Sequence, residues 1–121
     1  MARRTCDGPG LLEAFRAAVV NLEAHVDEIN ALNVYPVPDG DTGSNMLATV
    51  QAALSEADAA AGQPAERVAA AISFGALMGA RGNSGVITSQ IFRGMAEGLG
   101  GKSRFNGLDL AHALSEGART A

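Results

Sequence analysis

A chain of 121 residues that is 47% hydrophobic and 18% charged has the make-up of one folded globular domain; this excludes a disordered or fibrous chain and leaves room for one core, not two. A net charge of −4 provides no basic surface for neutralising nucleic-acid phosphates, so no nucleic-acid partner is expected. The single cysteine, Cys6, has no partner for an internal disulfide and belongs to no zinc-type Cys/His spacing, which fits a reduced, cytoplasmic setting.

Residues 1–10, "MARRTCDGPG", read as a basic N-terminal arm, without the apolar run and cleavage site of a signal peptide. From Leu12 onward the apolar positions Leu12, Phe15, Val19, Leu22, Val26 and Ile29 recur every three or four residues, with Arg16, Asn21, Glu23, Asp27 and Glu28 between them. That spacing predicts an amphipathic helix of about five turns. It should end near Asn33, because Pro36 and Pro38 lack N–H donors and bias Tyr35 and Val37 toward extended conformations. The following loop is therefore expected to begin as a stiff, extended strap.

A second helix should start within "DTGSNM", where Asp41, Thr42 or Ser44 offers an N-cap, and run to Gly62. Pro64 suits the first turn of a third, Ala-rich helix that is apolar on most faces. Its run Val68–Ala80 falls short of the roughly 18 apolar residues of a membrane span and reads as a buried helix. "RGNSG" interrupts it, a fourth helix "VITSQIFRGMAEGL" ends at Gly100 and Gly101, and a fifth, "LDLAHALSEGARTA", is still running at Ala121. No segment alternates as a strand, so the expected class is all-α. A helix still running at the last residue is what the N-terminal part of a larger domain would show.

Chemistry concentrates at two junctions. In "NVYPVPDGDTGSNM", Asp39 and Asp41 lie two apart in a turning segment, where both carboxylates can face the same side and share a cation that offsets their repulsion. Gly40 and Gly43 let the backbone fold tightly around such an ion. Mg²⁺ typically takes one or two carboxylates and leaves its other positions to water and phosphate. A D-G turn followed by an aspartate N-cap fits the same spacing. An EF-hand is excluded, since its required Gly and Glu positions hold Ser44 and Val50.

The second junction, "GARGNSG", places glycines and Ser84 before a helix, where backbone N–H groups can meet a phosphate closely. It lacks the Walker A lysine and the preceding strand of a dinucleotide fold. A glycine link between tightly packed helices is the bland reading. Two helices of similar length separate the junctions, which places both at the same end of an up-and-down array. Cation ligands beside a phosphate cradle are what a nucleotide-dependent phosphotransferase needs.

The stretches "LNVYPVPDGDTGSNM" and "LMGARGNSGVITSQIFRG" resemble the two signature loops of the nucleotide-binding domain shared by the dihydroxyacetone kinase L-subunit family and bacterial fatty acid kinases, with the form "NVYPVPDGDTG" closer to the latter. The resemblance implies an antiparallel α-helical barrel of eight helices, of which residues 11–121 would supply about five, holding ATP at one rim through two Mg²⁺ ions. It implies Asp39 and Asp41 as metal ligands, with Asn33 where dihydroxyacetone kinases carry a third aspartate. It further implies Gly82, Asn83, Ser84 and Gly85 as the phosphate loop, with Thr42 and Asn45 beside the phosphates.

The reaction implied is phosphoryl transfer from ATP to a fatty acid carried by an acyl-binding partner protein, with dimerisation through C-terminal domains of the fatty acid kinases. An ionised carboxylate is already a nucleophile, so no general base is required. His25 and His112 fall in helical segments and read as packing or surface residues; Arg81 reads equally as a phosphate contact or an exposed loop residue, and Cys6 has no assigned role. Competing readings are the ADP-binding subunit of a dihydroxyacetone kinase, and a non-catalytic helical interaction module whose glycines only permit close packing.

Overall fold

The computed structural model describes residues 4–33 and 40–121. Five helices follow in chain order: α1 (Gly8–Ala31), α2 (Thr42–Ala59), α3 (Ala65–Met78), α4 (Gly82–Gly98) and α5 (Gly107–Thr120). Among the described residues there is no strand, only an isolated bridge pairing Cys6 with Phe105. The chain is all-α, as its periodicity predicts. The extended strap expected at Tyr35 to Pro38 lies outside the described residues.

Two helices start earlier than the apolar pattern indicates. Helix α1 begins at Gly8 because the Asp7 side chain accepts from the Gly10 N–H at 2.9 Å, and Pro9 occupies the first turn, where a missing N–H costs nothing. Helix α4 begins at Gly82, so "GNSG" forms its first turn rather than a loop ahead of it. Gly82 has φ +66°, which lets the chain reverse sharply between α3 and α4 where a side chain would be strained.

Successive helices pack antiparallel. Near one end Gly43 of α2 meets Val26 and Ile29 of α1, and Gly79 just after α3 meets Ala52 of α2. At the other end, the α4–α5 connection supplies the carbonyls of Ser103 and Lys102 to the N–H groups of Ala65 and Glu66, at 3.0 and 2.9 Å. Those bonds satisfy the start of α3, whose Pro64 N-cap provides no side-chain cap. Helix α2 lies against α1, α3 and α4, whereas α5 lies against α4 alone among the described helices. Fully buried Val68, Ile72 and Leu99 fill the centre, and Phe15 meets Phe92 edge to face with centroids 5.5 Å apart.

Small residues set the spacing between these helices. A Cβ on Gly75 would stand 2.7 Å from the Ala52 carbonyl oxygen and 2.8 Å from the Ala53 Cα, and one on Gly117 would stand 2.6 Å from the Ile91 carbonyl oxygen. Backbone cannot retreat as a flexible side chain can, so these contacts require glycine. Helix α3, expected to be a buried helix apolar on most faces, leaves one side exposed. Its Val68, Ala69, Ile72, Gly75 and Ala76 are buried, but Phe74, Leu77 and Met78 are more than half exposed. Phe74 and Leu77 line a shallow groove of about 400 Å³ whose far wall includes Arg93 and Ala96 of α4.

Gly75→Val is expected to lower stability by about 1–3 kcal/mol through overpacking, seen as a lower urea midpoint; an unchanged midpoint would show that α2 and α3 are not held this close.

Candidate functional site

The antiparallel order brings the C-terminal end of α1, the N-terminus of α2, the end of α3 and the N-terminus of α4 to one rim. Helices α2 and α4 are parallel there: Asn45 abuts Gly82 and, four residues on, Thr49 abuts Gly85. The positive ends of two helix dipoles therefore face the same region.

Helix α2 does not cap itself. Asp41 occupies the N-cap position, but its carboxylate makes no capping bond, contrary to the turn-and-cap reading. Capping comes instead from two side-chain amides, Asn30 in the last turn of α1 and Asn33 just past its C-cap. The Asn33 Oδ1 accepts from the N–H groups of Asp41 and Thr42 at 3.1 and 3.2 Å. The Asn30 Oδ1 accepts from the Ser44 N–H at 3.1 Å, while its Nδ2 donates to the Ser44 Oγ at 3.0 Å. The exposed Asp41 carboxylate is thereby left to other partners.

The two predicted junctions touch directly. The Ser84 Oγ donates to the Thr42 carbonyl oxygen at 3.2 Å. A side chain on Gly82 would collide with the Asn45 amide, and one on Gly85 with the Thr49 hydroxyl. Thr49 is fully buried; its Oγ1 donates to the Asn45 carbonyl at 2.8 Å and accepts from the Arg81 N–H at 3.2 Å. Asn83 and the Arg81 side chain are exposed at the same rim.

Of the expected site residues, Asn33, Asp41, Thr42, Asn45, Gly82, Asn83, Ser84 and Gly85 thus share one rim, and Asp39 lies outside the described residues. Among the described residues no three His, Cys, Asp or Glu side chains gather to hold a metal. The rim offers hard oxygen donors, the Asp41 carboxylate and the Asn33 amide oxygen, and that chemistry fits Mg²⁺ sharing its coordination with phosphate and water. In the arrangement described, the Asn33 oxygen is engaged by α2, so it acts first as a cap.

Asn30 and Thr49 were not singled out by the sequence. Asn30 lies in the last turn of α1, three residues before Asn33, and that second asparagine at the same helix end was the available signal. Thr49 has no comparable signal, since one threonine between Leu47 and Val50 resembles ordinary helix filling. His25 and His112 are exposed, and the His25 Nδ1 is 2.8 Å from the Asn21 carbonyl oxygen within its own helix. Cys6 sits at the opposite end, where burial and then Asp7 push its thiol pKa up, away from the thiolate that reactive cysteines need.

The family model described as the DAK2 domain matches residues 36–121. Protein YloV of Bacillus subtilis is 43% identical over all 121 residues, which span 22% of that protein. An uncharacterized protein of Staphylococcus haemolyticus, SH1689, is 44% identical over 101 residues, 84% of this chain and 18% of its own length. The chain therefore spans about a fifth of the length of the curated relatives it matches.

Removing either cap should cost about 0.5–2 kcal/mol. Amide hydrogen exchange should accelerate at Ser44 in Asn30→Ala, and at Asp41 and Thr42 in Asn33→Ala; unchanged protection at those amides would refute capping by α1.

Proposed function

The chain belongs to the DAK2 domain family, and from that premise we propose that it forms the N-terminal part of a Mg-ATP-binding domain of a kinase. The acceptor in this reading is a fatty acid carboxylate presented by a separate acyl-binding protein. The observation that carries the proposal is the pairing of the α2 and α4 N-termini at one rim, tied by the bond from the Ser84 Oγ to the Thr42 carbonyl oxygen.

The first turn of α4 presents the backbone N–H groups of Gly82, Asn83 and Ser84, and the positive end of its dipole, to phosphate oxygens, while the Gly85 N–H is held by the Arg81 carbonyl. Thr42 and Asn45 border that cradle from α2. Asp39 and Asp41 would hold the Mg²⁺, two ions in this reading, and Asn33 would add an uncharged oxygen. Bound Mg²⁺ would offset the charge of the phosphate chain and of the transferring phosphoryl group. The protein's own part is to place phosphate and acceptor in line and to supply fixed dipoles where charge develops. No base is needed, because the acceptor carboxylate is ionised at neutral pH.

A cytoplasmic setting suits a MgATP-dependent reaction. No described helix is long and apolar enough to cross a membrane; the acyl-binding partner is proposed from the likeness of the two loops to those of fatty acid kinases. Asn33, at a position where aspartate would favour a dihydroxyacetone kinase subunit, supports the fatty acid reading.

Calorimetric titration with ATP, on this chain and on the intact native protein, should show binding by the intact form that requires Mg²⁺. Asp39→Ala and Asp41→Ala should each abolish that binding with helical circular dichroism nearly unchanged. Normal MgATP binding by either variant would remove the metal assignment, and none by a folded intact protein would leave the interaction-module reading. Hydroxylamine trapping should capture an acyl phosphate when a fatty-acid-loaded partner is supplied; phosphorylation of dihydroxyacetone instead would overturn the acceptor.

A further inference from the structure

Thr49 is one of two polar residues buried among the described side chains, the other being Ser89. Ser89 bonds within its own helix, its Oγ donating to the Val86 carbonyl, but Thr49 bonds across two. A hydroxyl has one proton and two lone pairs. Thr49 commits the proton to the Asn45 carbonyl one turn back in α2, at 2.8 Å, which leaves a lone pair for the Arg81 N–H at 3.2 Å. Arg81 is the N-cap residue of α4. The same oxygen abuts Gly85, where a Cβ would overlap it. One buried atom therefore contacts the residue before the first turn of α4 and the glycine at the end of that turn.

We propose that Thr49 is a positioning residue of the nucleotide site, its hydroxyl joining α2 to the first turn of α4 and fixing the phosphate-binding N–H groups relative to Asp41. The inference rests on the nucleotide-binding reading above. Valine has nearly the same shape but cannot accept the Arg81 proton, and it leaves that N–H facing a methyl group. A donor held against an apolar group without a partner is unfavourable, a cost that α4 escapes by shifting its first turn toward water. Such a shift alters the cradle while leaving the rest of the core in place.

The experiment compares wild type, Thr49→Val and Thr49→Ser in the intact native protein, reading MgATP affinity by calorimetry, Arg81 amide exchange and thermal midpoint. Thr49→Val should weaken MgATP about tenfold, equivalent to 1.4 kcal/mol, and expose the Arg81 amide. Thr49→Ser keeps the hydroxyl and loses a buried methyl, so it should melt lower yet bind within about threefold of wild type, the affinity cost staying below about 0.7 kcal/mol. Affinity would then follow the hydroxyl rather than stability. If valine folds poorly, Thr49→Ala, which introduces no new clash, should reproduce its loss. Wild-type affinity in a folded variant without the hydroxyl, or affinity that tracks the thermal midpoint across the series, would overturn the proposal. Failure of the wild type itself to bind MgATP would instead overturn the functional reading on which the proposal rests.

Discussion

Backbone-to-backbone contact between helices is the constraint on which the other features depend. Alanine and glycine line the α2–α3 and α4–α5 contacts, and at Gly75 and Gly117 a methyl group would already reach into a neighbouring main chain. Such proximity does more than fill space. With neighbouring helices this close, a side chain as short as threonine or serine can bridge them. The bonds from Ser84 to Thr42 and from Arg81 to Thr49 would be out of reach if leucine-sized residues held the helices apart.

The helix starts divide according to what satisfies them. Helix α5 closes on itself through a capping box, in which the Asn106 side chain accepts from the Asp109 N–H and the Asp109 carboxylate accepts from the Asn106 N–H. The second of these bonds pulls the Asp109 pKa down, against the effect of burial and with help from Lys102. Helix α3 is met by main-chain carbonyls from the α4–α5 connection. Helix α2 is met by amides from α1, which keep its first turn in shape without using the Asp41 carboxylate. A negative charge kept free of local capping suits it to a ligand, and α1 takes over the structural work.

The helices were legible because a 3.6-residue apolar rhythm records burial directly, and both junctions were legible because glycine and aspartate clusters break that rhythm. What escaped notice followed the rhythm or hid behind a familiar composition. Asp7, Gly8 and Pro9 looked like an arm although they spell a capped helix start. The apolar length of α3 suggested a buried helix, yet Phe74, Leu77 and Met78 stand on its exposed side. Asn30 and Thr49 matter through partners 14 and 32 residues away, and a helical pattern read one segment at a time carries no record of such pairings.

The bridge between Cys6 and Phe105 bears on how the chain reaches this structure. The two residues exchange main-chain bonds, N–H to carbonyl, at 2.7 and 2.9 Å, and Arg104 reaches Thr5 and Asp7 from the same connection. Nearly the whole sequence separates these partners, in a fold whose other helix contacts are mostly between neighbours. Closing so long a loop carries an entropic cost that the packing of the intervening helices must offset. Helical arrays with local contacts fold fast, and distant pairings slow them. During synthesis α1 can form and dock on α2 as soon as both are made, but the residues just ahead of it must wait for the α4–α5 connection. Formation of this seam therefore reports that the helices from α1 to α4 have come together, and its backbone amides should gain protection only after those helices do.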